Sequence, residues 1–268
     1  MCRFLAYRGD PLLLEELVAA PAHSLIHQSM HATEAKTETN GDGFGIGWYG
    51  ERPNPGLYRE VHPAWSDENL RSLCSQVRAG LFFAHVRAAT GTATTRANCH
   101  PFSAGRWLFM HNGQIGGWHA VRRRVEAMIP DALYPLRSGT TDSEAILLCA
   151  LANGLEDDPA LAISRTLAAI LRLMRDAGVT EPLRFTASLS DGQRIWAFRW
   201  SSDRRPPTLY WREDETGLVV VSEPIDAHPT DWHAVPPAYC LTAEPGQRIV
   251  LAPMPDICAM LPTAREIA

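Results

Sequence analysis

Two short apolar runs, Leu81 to Val86 and Trp107 to His111, constrain this chain more than any other feature. Both are too short for helices, carry aromatic and branched side chains and are bounded by Gly and polar residues, so they predict buried strands. Each hands over to groups suited to an anion. The first delivers Arg87, whose planar fork of donors matches a carboxylate bidentately where a lysine would not. The second delivers Asn112-Gly113, a side-chain amide beside a backbone N–H. On its own an Asn-Gly dipeptide reads as a type I′ hairpin turn. A hairpin needs a second strand at once, whereas Trp118 to Ile129 carries Val121, Val125, Met128 and Ile129 at helical spacing and stops at Pro130. The dipeptide is therefore expected at a strand-to-helix turn, where both donors are exposed together.

The remaining chain is long enough to bury a large core, with 268 residues of which 46% are hydrophobic. No low-complexity or charged linker divides it, so a single domain over 1–268 is expected. The formal charge of −5, without a basic block, argues against nucleic acid and anionic membrane surfaces as partners. No apolar stretch approaches the roughly 18 residues of a membrane span, and the start, MCRFLAYRGD, places charges where a signal peptide has its apolar run. The expected compartment is the cytosol. Six cysteines without any C-x-x-C pair are expected as free thiols.

Cys2 follows the initiator Met, which is trimmed when the next side chain is small. Trimming leaves one residue with both a thiol and a free α-amine, whose ordinary pKa of about 7.7 to 8 lets it take the thiol proton as sulfur attacks a carbonyl. The alternative is that Cys2 merely begins a buried strand.

Further along, Asp10-Pro11 reads as a helix start with Leu13, Leu14, Leu17 and Val18 on its buried face. His23, His27 and His31 are spaced four apart, but no H-E-x-x-H or third-ligand partner accompanies them, so packing or substrate contact is expected and no metal or other cofactor. Gly alternates with large apolar residues in NGDGFGIGWYG, a strand closely approached by another backbone or a ligand; without Gly-Lys-Ser/Thr it is no phosphate loop. Ser66 to Ala79 reads as a capped amphipathic helix. Thr141 and Glu144 form a capping box that puts Asp142 in a helix's first turn, either to favour the dipole or to meet a substrate ammonium. Asp158-Pro159 opens a longer helix ending near Gly178, and Asp191-Gly192 joins a genuine hairpin. Strand-like runs follow at Thr208 to Arg212, Leu218 to Ser222, Tyr239 to Thr242 and Arg248 to Leu251. Helices grouped between runs of strands predict an α+β fold of stacked sheets covered by helices.

Taken together, Cys2, Arg87, Asn112-Gly113 and Asp142 supply a self-activating nucleophile, a carboxylate clamp, oxyanion donors and an ammonium acceptor. That is the inventory for cleaving a γ-glutamyl amide. Met-Cys-Arg at the start, H-V-R-A-A-T at His85 to Thr90, C-H-P-F at Cys99 to Phe102, H-N-G at His111 to Gly113 and T-D-S-E at Thr141 to Glu144 resemble the class II glutamine amidotransferases. These are N-terminal nucleophile hydrolases with a four-layer αββα sandwich. The resemblance implies Cys2 as nucleophile, its amine as base, Asn112 and Gly113 as oxyanion hole, and Arg87, Thr90, His111 and Asp142 as ligands of the glutamate moiety.

Two positions depart from the R-W-A-T-H-G of sugar-forming members: Ala88 stands in place of Trp and Gly91 in place of His. MCRFLAYRG, PAHSLIHQS and NGDGFGIGWY look most like the stand-alone branch, without a synthase domain, that cleaves γ-glutamyl peptides or conjugates in fungal glutathione degradation and ergothioneine synthesis. A smaller residue at 88 suits a bulkier leaving group. The expected substrate is a small γ-glutamyl molecule, with a partner protein left open. The competing reading is a non-catalytic γ-glutamyl-binding or regulatory subunit of a larger complex.

Overall fold

Strict alternation along the strands sets the architecture. The computed structural model describes residues 2–34, 39–89, 91–226 and 229–261. The chain opens with β1 (Arg3–Leu13), two short helices α1 (Glu15–Val18) and α2 (Leu25–Met30), the hairpin β2 (Phe44–Trp48) and β3 (Gly56–Glu60), then α3 (Glu68–Cys74) and β4 (Arg78–Val86). The second part begins with β5 (Phe102–Ala104) and β6 (Trp107–Gln114), followed by α4 (Trp118–Glu126), α5 (Asp142–Ala152) and α6 (Pro159–Asp176). It closes with β7 (Arg184–Ser190), β8 (Ile195–Ser201), β9 (Tyr210–Glu213), β10 (Gly217–Val221), β11 (His233–Ala234), β12 (Tyr239–Ala243) and β13 (Val250–Pro253).

Among the described residues the strands form two antiparallel sheets, ordered β11-β9-β10-β1-β4-β2-β3 and β13-β12-β8-β7-β6-β5. Side chains on a strand point alternately to its two faces, and three apolar cores result. Phe4 and Ala6 of β1, Leu81 and Phe83 of β4, Leu108 and Met110 of β6 and Ile195 and Ala197 of β8 meet between the sheets. Leu5, Tyr7, Phe82 and Ala84 turn outward onto Val18, Leu25 and Leu70 of the first three helices. Phe109, Phe185 and Phe198 turn outward onto Val121, Ile146, Ile163 and Leu167 of the last three. The layers are therefore helix, sheet, sheet, helix, the αββα sandwich the resemblance implies. No helix among the described residues is long and apolar enough to cross a membrane, and the six cysteines are free.

Several local expectations need correction. Asp10-Pro11 does not start a helix; it lies in β1 where the pairing with β4 shifts register between Arg8 and Leu12, an irregularity that tolerates a residue without an N–H. The helix expected over Ser66 to Ala79 is confined to α3 because Asp67, not Ser66, caps it (Leu70 N–H to Asp67 Oδ1, 2.6 Å) and β4 takes over at Arg78. The Gly-rich strand behaves as expected. A side chain at Gly45 of β2 would lie 2.2 Å from the carbonyl oxygen of His100, so the segment before β5 sits directly on this strand.

Candidate functional site

The same alternation places the candidate residues. On β1 the parity of Phe4 and Ala6 assigns Cys2 to the space between the sheets. On β4 the parity of Leu81 and Phe83 assigns His85 and Arg87 there, and on β6 that of Leu108 and Met110 assigns Asn112. Arg3 pairs with Val86, so Cys2 and Arg87 stand level at the end of their strands. The thiol meets the residue after Arg87: the Ala88 N–H donates to Cys2 Sγ at 3.4 Å, and the thiol returns a bond to the Ala88 carbonyl at 3.6 Å. Burial pushes the Cys2 thiol up, against the Ala88 hydrogen bond and the nearby charges of Arg87 and Arg3. The thiol is thus protonated at neutral pH and needs a base to attack.

Arg87 is buried and closes the loop that follows it. Its Nη1 donates to the Asp42 carbonyl (3.1 Å), and its Nη2 to Thr92 Oγ1 (2.7 Å) and the Thr92 and Ala93 carbonyls (3.4 and 3.3 Å). Asp42 Oδ2 accepts the Ala89 N–H at 2.7 Å, and Asn98 Nδ2 holds the Ala93 carbonyl at 2.7 Å, so the loop is pinned at both ends. Thr90 and Met1 lie outside the described residues.

Asn112 and Gly113 are not in a turn. They belong to β6, opposite Thr186 and Phe185 of β7, and the turn to α4 comes later, at Ile115 to Gly117. A side chain at Gly113 would lie 2.0 Å from the Arg184 carbonyl oxygen, so close strand approach, not turn geometry, demands glycine there. The Asn112 side chain is 1% exposed, yet its Nδ2 has no hydrogen-bond partner. A buried orphan donor of this kind costs about 1 to 3 kcal/mol unless a ligand or water completes it.

On the outer face of β6, His111 lies between Phe109 and Phe185, with Nδ1 2.9 Å from Ser143 Oγ and Nε2 3.1 Å from the Arg184 carbonyl. Both ring nitrogens are engaged with protein. Burial holds this imidazole below its ordinary pKa, opposed by Asp142. Asp142, in the first turn of α5, accepts the Ile115 N–H at 2.8 Å through Oδ2 and the Ser143 N–H at 2.8 Å through Oδ1. It therefore anchors the turn just beyond Gly113. Thr141 caps α5 as expected, but the Glu144 carboxylate serves the preceding loop at Ser138 and Gly139 and pairs with buried Arg137.

Sequence reasoning gave His85 and His100 no role beyond their motifs. Their rings stack at 4.2 Å between centroids, and all four ring nitrogens are buried without partners. Burial, then the charges of Arg87 and His111, pushes His85 down to about 3; burial also holds His100 far below its ordinary value. Bases held neutral in the folded state bind fewer protons than in the unfolded chain, so unfolding free energy falls with pH once it passes below about 6.5. The urea midpoint is expected to drop between about pH 6.5 and 5, above the range where carboxylates titrate. A flat midpoint there would contradict the burial of these rings as neutral groups. Among the described residues no group of three His, Cys, Asp or Glu is arranged to hold a metal ion.

Two sheets flanked by helices, with a cysteine one residue from the start of the central strand, define the N-terminal nucleophile hydrolase architecture. The profile of the family described as glutamine amidotransferases class-II matches residues 13–210, and the chain belongs to that family. The chain is 30% identical to the probable glutamine amidotransferase DUG3 of Saccharomyces cerevisiae over 96% of its length and 85% of that protein. It is 29% identical to the gamma-glutamyl-hercynylcysteine sulfoxide hydrolase of Mycolicibacterium smegmatis, over 88% of its length and 92% of that protein. Among solved structures, a glutamine aminotransferase class-II domain protein from Silicibacter pomeroyi superposes with a TM-score of 0.77 and 39% identity, covering 95% of this chain and 100% of that one. The glutamine phosphoribosylpyrophosphate amidotransferase of B. subtilis, at 12% identity and a TM-score of 0.61, shares the fold over 96% of this chain and 50% of its own.

Proposed function

We propose that this protein hydrolyses the γ-glutamyl amide bond of a small molecule, glutamine or a γ-glutamyl peptide or conjugate, as a single domain spanning 1–268 in the cytosol. With Met1 removed, the α-amine of Cys2 takes the thiol proton while sulfur attacks the γ-carbonyl. The C–N bond breaks, the amine leaves with that proton, and water then releases glutamate from the thioester. The Asn112 amide and the Gly113 N–H receive the developing oxyanion. Arg87 grips the α-carboxylate, exchanging its loop carbonyls for substrate oxygens, with Thr90 beside it, and Asp142 meets the α-ammonium. His111, with both nitrogens occupied, serves the glutamate site by holding β6 to the start of α5. The observation that supports this reading is the buried, partnerless amide of Asn112, which shares its strand parity with Leu108 and Met110 between the sheets, as Cys2 does with Phe4 and Ala6 and Arg87 with Leu81 and Phe83. The names of the yeast and mycobacterial relatives point to the same bond.

The test begins with intact mass spectrometry, which should find the chain without Met1. That preparation is then offered glutamine, glutathione and γ-glutamyl-p-nitroanilide, and glutamate release is measured with kcat/KM compared across them. With the compact Ala88 where a Trp would crowd the site, the bulkier amides are expected to be preferred over glutamine. Glutamate release from none of them by a Met1-free chain refutes the proposal; binding without turnover by a chain retaining Met1 identifies a regulatory subunit instead.

A further inference from the structure

The residue after the nucleophile is anchored by a buried ionic knot that the reaction itself does not use. Arg3 is fully buried, and its Nε lies 3.2 Å from Glu223 Oε2, an ion pair rather than an aligned hydrogen bond. Its Nη2 donates to the Glu34 carbonyl at 2.6 Å and its Nη1 to the Ser222 carbonyl at 3.5 Å. Glu223, 2% exposed, also accepts the Thr33 N–H (2.9 Å), the Thr33 hydroxyl (2.7 Å) and the Glu34 N–H (3.0 Å), and meets His23 Nε2 at 2.6 Å. Gln28 of α2 closes the knot from behind, its Nε2 donating to the carbonyls of His23, Glu223 and Pro224. Hydrogen bonds from these many donors hold the Glu223 carboxyl below its ordinary pKa despite its burial.

A chain end frays unless it is tied down, and a nucleophile that is itself the chain end has no preceding residue to hold it. We propose that Glu223 is a positioning residue for catalysis: it fixes Arg3, and through Arg3 it fixes the thiol and α-amine of Cys2 against Arg87 and the Asn112 amide. This rests on the reading of Cys2 as nucleophile. The knot also sets the charge around the amine. Arg3 lies one peptide away and Arg87 beside the thiol, while Glu223 offsets Arg3; His23, Glu34 and the Tyr210 hydroxyl, which donates to Glu34 Oε1 at 3.0 Å, face the pair from the surrounding segments. A neutral side chain at 223 leaves the Arg3 cation uncompensated, which favours the neutral amine.

The experiment is a pH profile of γ-glutamyl-p-nitroanilide hydrolysis by Met1-free wild type, Glu223→Gln and Glu223→Asp. Glu223→Gln is expected to lose on the order of tenfold in kcat with KM changed less than about twofold, because neither Arg87 nor Asp142 touches Glu223. The acid limb of its kcat/KM profile should move to lower pH, a shift that a merely structural role would not produce. Glu223→Asp retains the charge but retracts it by one methylene, so kcat should fall while the limb stays in place. Wild-type kcat in either variant, or a loss in Glu223→Gln with an unmoved limb, overturns the proposal; if Glu223→Gln does not fold, Glu223→Asp alone decides. An inert wild type would instead count against the proposed function.

Discussion

Cys2→Ala is expected to leave a folded protein that still binds glutamate but releases none from any amide, with kcat at least about 10⁴-fold down, the scale of removing a covalent nucleophile. The side chain makes one pair of weak sulfur contacts, both to Ala88, so stability should change by no more than about 1 kcal/mol. Loss of activity therefore cannot be attributed to loss of fold, and urea melts of the two proteins check this directly. The companion measurement uses a diazo-ketone glutamine analogue, which should add its mass once to the wild type and not at all to the variant. A second arm addresses the base. The thiol is pushed above its ordinary pKa, so its own ionisation supplies little thiolate at neutral pH. A chain extended by one residue ahead of Cys2, which retains the thiol but turns its amine into an amide, should be as inactive as Cys2→Ala. Labelling of the alanine variant at wild-type rates would show that some other group attacks.

Which features the sequence disclosed follows from how local their physics is. The hairpin at Asp191-Gly192, the Asp158 cap of α6 and the strand at Phe44 depend on residues within a few positions of one another, and they lie where their local signals place them. The parity that assigns Cys2, Arg87 and Asn112 to one space was not legible, because these strands are apolar on both faces and only the stacking of the two sheets shows which face is inward. What escaped is non-local. Asn112-Gly113 was expected in a turn because the dipeptide favours one; pairing with β7, some 70 residues on, overrides it and extends β6 to Gln114. Pro11 in a strand is tolerated only because β1 shifts register against β4 there. The His85–His100 stack joins two motifs that each looked self-sufficient. Glu223 carries no signal at all: it is one acid in an ordinary stretch, and its weight comes from Arg3, 220 positions earlier.

Asn112→Ala should move activity and stability in opposite directions. An amide aimed at a developing oxyanion stabilises the transition state and nothing in the resting enzyme, so its removal should lower kcat by about 10² to 10³-fold with little change in KM. In the resting protein the same group is a liability, since Nδ2 is buried without a partner. Truncation removes that unmet donor while Leu108, Met110 and the Thr186 pairing continue to hold β6. The denaturation midpoint is therefore expected to stay level or rise, the opposite of what a buried structural amide would give, whose loss costs about 1 to 3 kcal/mol. Asn112→Asp makes the complementary case: it preserves shape but presents a negative charge to the oxyanion, and should be at least as inactive as alanine. Gly113→Ala is unsuitable for this purpose, because its methyl would meet the Arg184 carbonyl at 2.0 Å and disturb the strand itself. A kcat for Asn112→Ala within a factor of a few of wild type, or a large fall in its midpoint, would remove this residue from the oxyanion hole and return it to a packing role.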